Sequence, residues 1–214
     1  MPSAAPDFDY IRDPAEIYRQ SFAIVEREAG ISALDEDMRP VATRLVHSCG
    51  MVDVVDDLDF SGRAGTVGTE ALSNGAPIFC DVEMVRAGII ERLLPADNEC
   101  ICTLNDVRVP EHARHIANTR SAAAVDLWGD NLSGAIVAIG NAPTALFRLL
   151  ERVSQGGPKP ALVIGMPVGF VGAAESKQAL SSNTFGLDYV VVHGRRGGSA
   201  MASAVVNALA GGLG

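Results

Sequence analysis

Residues 135–147 read AIVAIGNAPTALF, residues 161–177 read ALVIGMPVGFVGAAESK, and residues 189–201 read YVVVHGRRGGSAM. Each stretch opens on a near-continuous apolar run, passes through a glycine-containing loop and enters a segment with helical patterning. An apolar run without polar alternation suits a strand whose two faces are both covered. Parallel strands need a crossover, usually a helix, so a repeated strand–loop–helix unit points to a parallel sheet. Apolar runs at 77–80 and 99–104 extend the pattern toward the N-terminus. The intervening and following segments 82–93, 121–130, 143–153, 173–180 and 199–209 read as helices. The expectation is an α/β fold: a single domain over 1–214, with a mainly parallel five-stranded sheet flanked by helices on both faces.

The N-terminal part adds helices without strands. Asp13 and Pro14 suit a cap and first helical position, and Gly30 suits a stop. A second helix is predicted over 35–47, with Met38, Val41, Ala42 and Leu45 on one stripe. A third covers 67–74, ended by Gly75. The acidic stretch from Asp53 to Asp59 reads as a solvated turn with at most weak affinity for a divalent cation, and the GGLG tail reads as frayed.

The chain of 214 residues carries a formal charge of −9. That surface repels nucleic-acid phosphates and anionic lipid, so an anionic ligand must be held by local cations or backbone amides. No apolar run reaches the length of a membrane span, and the start lacks the basic-then-apolar order of a signal peptide. A cytoplasmic protein is expected. The four cysteines, Cys49, Cys80, Cys100 and Cys102, show no metal-binding spacing and read as reduced thiols.

Ligands of open α/β sheets bind beyond the carboxyl ends of the strands. Three glycine loops on that edge predict a broad anion-binding crevice, with Gly169 in one loop and cationic reach from Lys177, Arg195 and Arg196. The alternative for each loop is a tight turn that needs glycine for compactness. The spacing of Gly165, Gly169 and Gly172 is not a dinucleotide fingerprint, and no phosphate-binding G-x-x-x-x-G-K-[ST] loop is present.

Arg120 precedes a helix that Ser121 can cap. It is placed either to hold a ligand carboxylate bidentately or to pair with Asp126 or Asp130. His47 lies roughly 180° from Met38 and roughly 200° from Leu45 around its helix, so it leaves the apolar stripe. It faces solvent, a pocket or a partner subunit. His112 and His115 read as surface helix residues, because a third metal ligand is missing. His193 ends a strand beside the basic loop. Cys100 and Cys102 share a strand face as small core residues.

Several stretches, in chain order, resemble the precorrin-8X methylmutases: DYIRDPAEIYRQSFAIV (9–25), RLVHSCGMVD (44–53), GAPIFCDVEMV (75–85), ICTLND (101–106), NTRSAAAV (118–125), AIGNAPTALF (138–147), IGMPVGFVGAAESK (164–177) and GRRGGSAM (194–201). The resemblance implies an α/β homodimer that needs no metal or organic cofactor. It implies a methyl shift from C11 to C12 of a corrinoid ring, turning precorrin-8X into hydrogenobyrinate. It also implies that His47 is the proton-transfer residue, that Ser21 contacts substrate, and that Arg120 binds substrate across the dimer. The likeness is closer to the metal-free, oxygen-dependent branch of the pathway than to the cobalt-containing one. Histidine, with an ordinary pKa of about 6.5, exchanges protons near neutrality. Two rivals remain: a noncatalytic corrinoid carrier with the same crevice, and a nucleotide- or S-adenosylmethionine-dependent enzyme.

Overall fold

The computed structural model of the chain describes residues 8–211. Residues 1–7 and 212–214 lie outside the described residues, and with them most of the ground for the readings of the chain's start and of its GGLG tail. The chain begins with α1 (Pro14–Glu28), where the Asp13 carboxylate accepts from Ala15 N at 3.0 Å and Pro14 occupies the first turn. Gly30 follows in the left-handed region, at φ 63°. α2 (Arg39–Cys49) starts later than its apolar stripe suggests, because Glu36–Met38 forms a 3-10 turn first. It ends on Gly50.

Next come β1 (Leu58–Phe60), α3 (Ala64–Ser73), β2 (Ile78–Cys80), α4 (Glu83–Gly88), β3 (Cys100–Cys102), α5 (Val109–His115) and α6 (Arg120–Asp126). The last part holds β4 (Ile136–Ile139), α7 (Pro143–Ser154), β5 (Leu162–Gly165), α8 (Ala173–Ser181), β6 (Tyr189–Val192) and α9 (Ser199–Gly211).

The sheet order is β1-β6-β5-β4-β2-β3, parallel throughout except for β1, which runs antiparallel to β6. All five predicted strands are present, and β1 is a sixth. It forms inside the acidic stretch read as a turn: Val52–Asp57 is a 3-10 segment, and Leu58–Phe60 then pairs with the edge of the sheet. An edge strand has only one neighbour, so it needs no doubly buried apolar run. Backbone bonds from His193 N to Asp57 O (2.8 Å) and from Ser61 N to Tyr189 O (3.1 Å) fix it at both ends.

Alternate residues of the strands divide the core. Ile78, Ile136, Leu162 and Val190 face a layer containing α2, α3, α4 and α9. Phe79, Val137, Val163 and Val191 face α7 and α8, with Val125 of α6 and Trp128. α9 lies between the sheet and α2, so residues from Met201 to Leu209 are buried all round it, including Ser203 and Asn207.

Candidate active site

α1 crosses the open side of α2 and brings Ser21 to His47, with Ser21 Oγ and His47 Nδ1 2.8 Å apart. Tyr18 and Phe22 lie on the same face of α1 as Ser21, at helical spacing, and their rings flank the imidazole at 5.7 and 5.3 Å between centroids. One ring nitrogen is therefore committed to a hydroxyl, which orients the ring. Nε2 has no hydrogen-bond partner among the described residues. His47 itself is exposed, as its position off the apolar stripe predicts.

The imidazole opens onto a cleft of about 380 Å³, whose lining includes Tyr18, Arg44, Met84, Ile90, Ala200 and Ala204. Two contacts of α9 shape its far wall. Asn207, buried, accepts from Ile90 N at 2.8 Å and donates to Gly88 O at 2.9 Å. These bonds satisfy backbone groups left where α4 stops. Gly88 also sets the approach of α4 to α9, since a Cβ there would stand 2.4 Å from Ser203 Oγ. The helix expected over 82–93 accordingly ends at Gly88 and resumes as a 3-10 turn at Glu91–Leu93. A hollow of about 630 Å³ lies along α8 beside His193 and Gly194. Size alone would favour it, but its histidine is bonded to a carboxylate: His193 Nε2 lies 2.9 Å from Asp59 Oδ2.

The three glycine loops do share the carboxyl edge of β4, β5 and β6. Their backbone amides, however, are largely used within the protein. Asp81, at the end of β2 and 2% exposed, accepts from Gly140 N, Asn141 N and Ala142 N at 2.9, 3.0 and 2.8 Å. An internal carboxylate thus fills the anion nest of the β4 loop. Burial pushes the Asp81 pKa up, opposed by these three donors. The other two loops bond to each other, Gly198 N to Met166 O at 2.8 Å and Gly169 N to Arg195 O at 3.3 Å. Gly197 passes so close to Met166 O that a Cβ there would lie 2.4 Å away.

The cations of this edge differ in what they can reach. Arg196 donates to the carboxylates of Asp53 and Asp57. Lys177 does not supply the cationic reach expected of it: it is fully buried, and its ammonium donates to Arg196 O at 2.6 Å. Burial holds its pKa down at about 8. Arg195 alone of the three is exposed at the rim, with its guanidinium carbon 5.3 Å from the centre of the Phe170 ring.

Arg120 opens α6, capped by Thr119, whose side chain accepts from Ala122 N, and not by Ser121. It pairs with neither Asp126 nor Asp130. Its guanidinium donates to Leu104 O at 3.1 Å and to Asn105 Oδ1 at 3.4 Å. Asp126 is taken instead by His112, Arg148 and Arg152. That network gives His112 a structural partner, and no metal-binding group of three ligands occurs among the described residues. Of the predicted site residues, the structure joins His47 to Ser21. It sets Arg120 in the layer on the opposite face of the sheet, and Gly169, Lys177, Arg195 and Arg196 at the strand ends. Tyr18, Phe22, Arg44 and Met84 went unnoticed in the sequence as parts of the His47 surroundings. The i, i+3, i+4 spacing of Tyr18, Ser21 and Phe22 is the signal that could have found two of them.

A family model described as precorrin-8X methylmutase matches residues 16–211. A precorrin-8X methylmutase of Pseudomonas aeruginosa is 57% identical over 202 residues, covering 94% of this chain and 97% of its own. One from Sinorhizobium sp. is 54% identical over 205 residues, with coverages of 96% and 98%. A cobalt-precorrin-8 methylmutase of Salmonella typhimurium is 40% identical, with coverages of 94% and 96%. Among solved structures, a precorrin-8x methyl mutase from Thermus thermophilus superposes with a TM-score of 0.81 at 38% identity, covering 90% of this chain and 94% of its own.

Proposed function

This chain belongs to the precorrin-8X methylmutase family and is an isomerase of that class, and on that premise we propose that it moves a methyl group from C11 to C12 of precorrin-8X to give hydrogenobyrinate, with His47 as the proton-transfer residue. Substrate and product are isomers, so the reaction gains neither electrons nor protons overall. A proton that His47 delivers to the macrocycle must be taken back after the shift. The proton selects the tautomer from which a methyl group can migrate between adjacent ring carbons. The protein otherwise acts by binding the ring in the shape that leads to product.

The observation that carries this reading is the 2.8 Å contact between Ser21 Oγ and His47 Nδ1 at an open cleft. A hydroxyl on Nδ1 fixes the imidazole and leaves Nε2 for the substrate. Ser21 then serves as orienter of His47 as well as a substrate contact.

The cleft is smaller than a four-ring macrocycle with its carboxylate arms, so a further surface must cover the remainder. A homodimer supplies it, with Arg120 of one protomer reaching the His47 cleft of the other. Two facts support that arrangement. His47 and Arg120 belong to layers on opposite faces of the sheet within one chain, and Phe8, Tyr10, Ile11, Ile17 and Tyr18 are exposed apolar residues on and before α1. We assign Arg195, exposed at the carboxyl edge of the sheet, to a carboxylate arm, with Gly169, Lys177 and Arg196 holding the loop that presents it.

Higher identity to the precorrin-8X enzymes (57% and 54%) than to a cobalt-precorrin-8 enzyme (40%) favours the metal-free substrate. No helix of the described residues is long and apolar enough to cross a membrane, and we place the enzyme in the cytoplasm with its small-molecule substrate. The test is turnover of precorrin-8X, followed by the visible absorbance of hydrogenobyrinic acid. His47→Ala should lower the rate about 10²–10⁴-fold while still binding product. Wild-type turnover in that variant would remove His47 from the chemistry.

A further inference from the structure

Arg120 is exposed, and its guanidinium is received by two neutral acceptors, Leu104 O and Asn105 Oδ1. The direction in which it leaves the protein is set by the backbone it stands on, the first turn of α6. That turn is entered under strain. α5 ends in the hydrogen-bond pattern of a Schellman motif, with Asn118 N bonded to Ala113 O at 3.0 Å and Ala117 N to Arg114 O at 3.2 Å. The motif needs one residue in the left-handed region, a position that suits glycine. Here Ala117 takes it, at φ 49°. A strained backbone of this kind persists only where the structure on both sides holds it. α5 holds one side. The other side leads directly to Arg120.

A pair of hydroxyls holds that second side. Thr119 Oγ1 accepts from Ala122 N at 3.1 Å and lies 2.7 Å from Thr144 Oγ1. Thr144 stands in the first turn of α7, on ground that the sheet fixes. The loop just before α7 gives three amides to the buried Asp81 carboxylate, and Ala145, Leu146 and Leu149 of α7 are buried. α6 has seven residues, too few to hold its own first turn without tertiary support. The tie therefore runs from Asp81 through α7 to Thr144, across to Thr119, and so to the residue that follows it. Thr119 is exposed and Thr144 half-buried, so water can replace their bond without leaving a buried donor unpaired. The bond adds direction to the start of α6 more than it adds stability to the fold.

We propose that Thr144 is a positioning residue of this enzyme: its hydroxyl holds Thr119 and the strained first turn of α6, and so keeps Arg120 aimed at a carboxylate of the substrate. This rests on the reading of Arg120 as a substrate-binding residue and adds to it the group that aims it. An arginine fork meets a carboxylate in one plane and along one direction, so a small rotation of its helix start costs binding. Thr144 acts through Thr119 and takes no part in the methyl shift.

The experiment measures the dissociation constant of hydrogenobyrinic acid, by visible absorbance, for wild type, Thr144→Val, Thr144→Ser, Arg120→Met and the double variant Thr144→Val with Arg120→Met. The urea midpoint establishes that each is folded, and Thr144→Ala repeats the comparison should the valine variant not fold. Thr144→Val should bind roughly 5- to 10-fold more weakly than wild type. Thr144→Ser, which keeps the hydroxyl, should return to within about twofold of wild type, and Thr144→Val should weaken binding no further once Arg120 is methionine. Wild-type affinity in Thr144→Val, a serine variant as weak as the valine one, or full additivity in the double variant would each overturn the proposal while leaving Arg120 as a substrate-binding residue. Unchanged affinity in Arg120→Met would instead remove Arg120 from the site, and this inference with it.

Discussion

The α2–α9 side of the molecule and the carboxyl edge of the sheet look alike in sequence and differ in the folded chain. Both carry glycine, a histidine and arginines. At the edge, donors and acceptors are largely consumed internally: Asp81 fills the β4 loop, the β5 and β6 loops bond each other, Arg196 meets Asp53 and Asp57, and His193 meets Asp59. Beside α2, His47 is held by one serine and keeps its other nitrogen toward a cleft. A glycine loop at a strand end marks a place where backbones approach closely. Whether it binds a ligand depends on where its amides already go.

The contrast can be broken most severely at Asp81. Asp81→Ala would leave three loop amides without their acceptor, and a loss of roughly 3–5 kcal/mol in urea unfolding is expected. Asp81→Asn, which keeps one carbonyl oxygen, should recover part of it. A variant of wild-type stability would mean that the β4 loop is not organised by this carboxylate.

Lys177 sharpens the same contrast through pH. Its folded pKa is held near 8 against an ordinary 10.5. Between those values the unfolded chain keeps a proton that the folded chain has released. The unfolded state therefore binds more protons there, and stability rises with pH across the window. The full shift corresponds to about 3 kcal/mol. Below pH 8 both states hold the proton, and the cost of burying the ammonium is undiminished. The difference in stability between wild type and Lys177→Met should therefore move in favour of wild type from about pH 7 to about pH 10. A flat difference would indicate that the ammonium is solvated in the folded protein.

The smallest effect belongs to the other region. On the proposed reading Ser21→Ala leaves His47 in place but unanchored. Turnover should fall roughly tenfold, about 1.4 kcal/mol, with product affinity almost unchanged. A loss as large as that of His47→Ala would assign Ser21 to the chemistry itself.

Much of this architecture was legible. β4, β5 and β6 announced themselves because buried parallel strands are continuously apolar and here run into glycine loops, whereas β2 and β3 were legible only as short apolar runs. β1 did not, because an edge strand of sequence Leu-Asp-Phe has no such signature and owes its existence to β6. The early stop of α4 depends on Asn207, 119 positions from Gly88, a tertiary contact that no local pattern reveals. At the site, the helical angle of His47 was readable from its own segment. Its pairing with Ser21, 26 residues away, was not. Lys177 and Asp81 escaped for a common reason: sequence reading takes a charged residue near a loop as exposed, whereas here each is buried beneath the loop it braces.

On the proposed reading the chemistry lies at His47, while His193 makes a structural bond to Asp59. Ring-nitrogen NMR spectra of all four histidines, recorded while hydrogenobyrinic acid is added, test that assignment directly. The expected result is that the His47 resonances shift in proportion to bound product while those of His112, His115 and His193 stay where they are. Movement of His193 with His47 unchanged would contradict it, and would return the active site to the glycine loops.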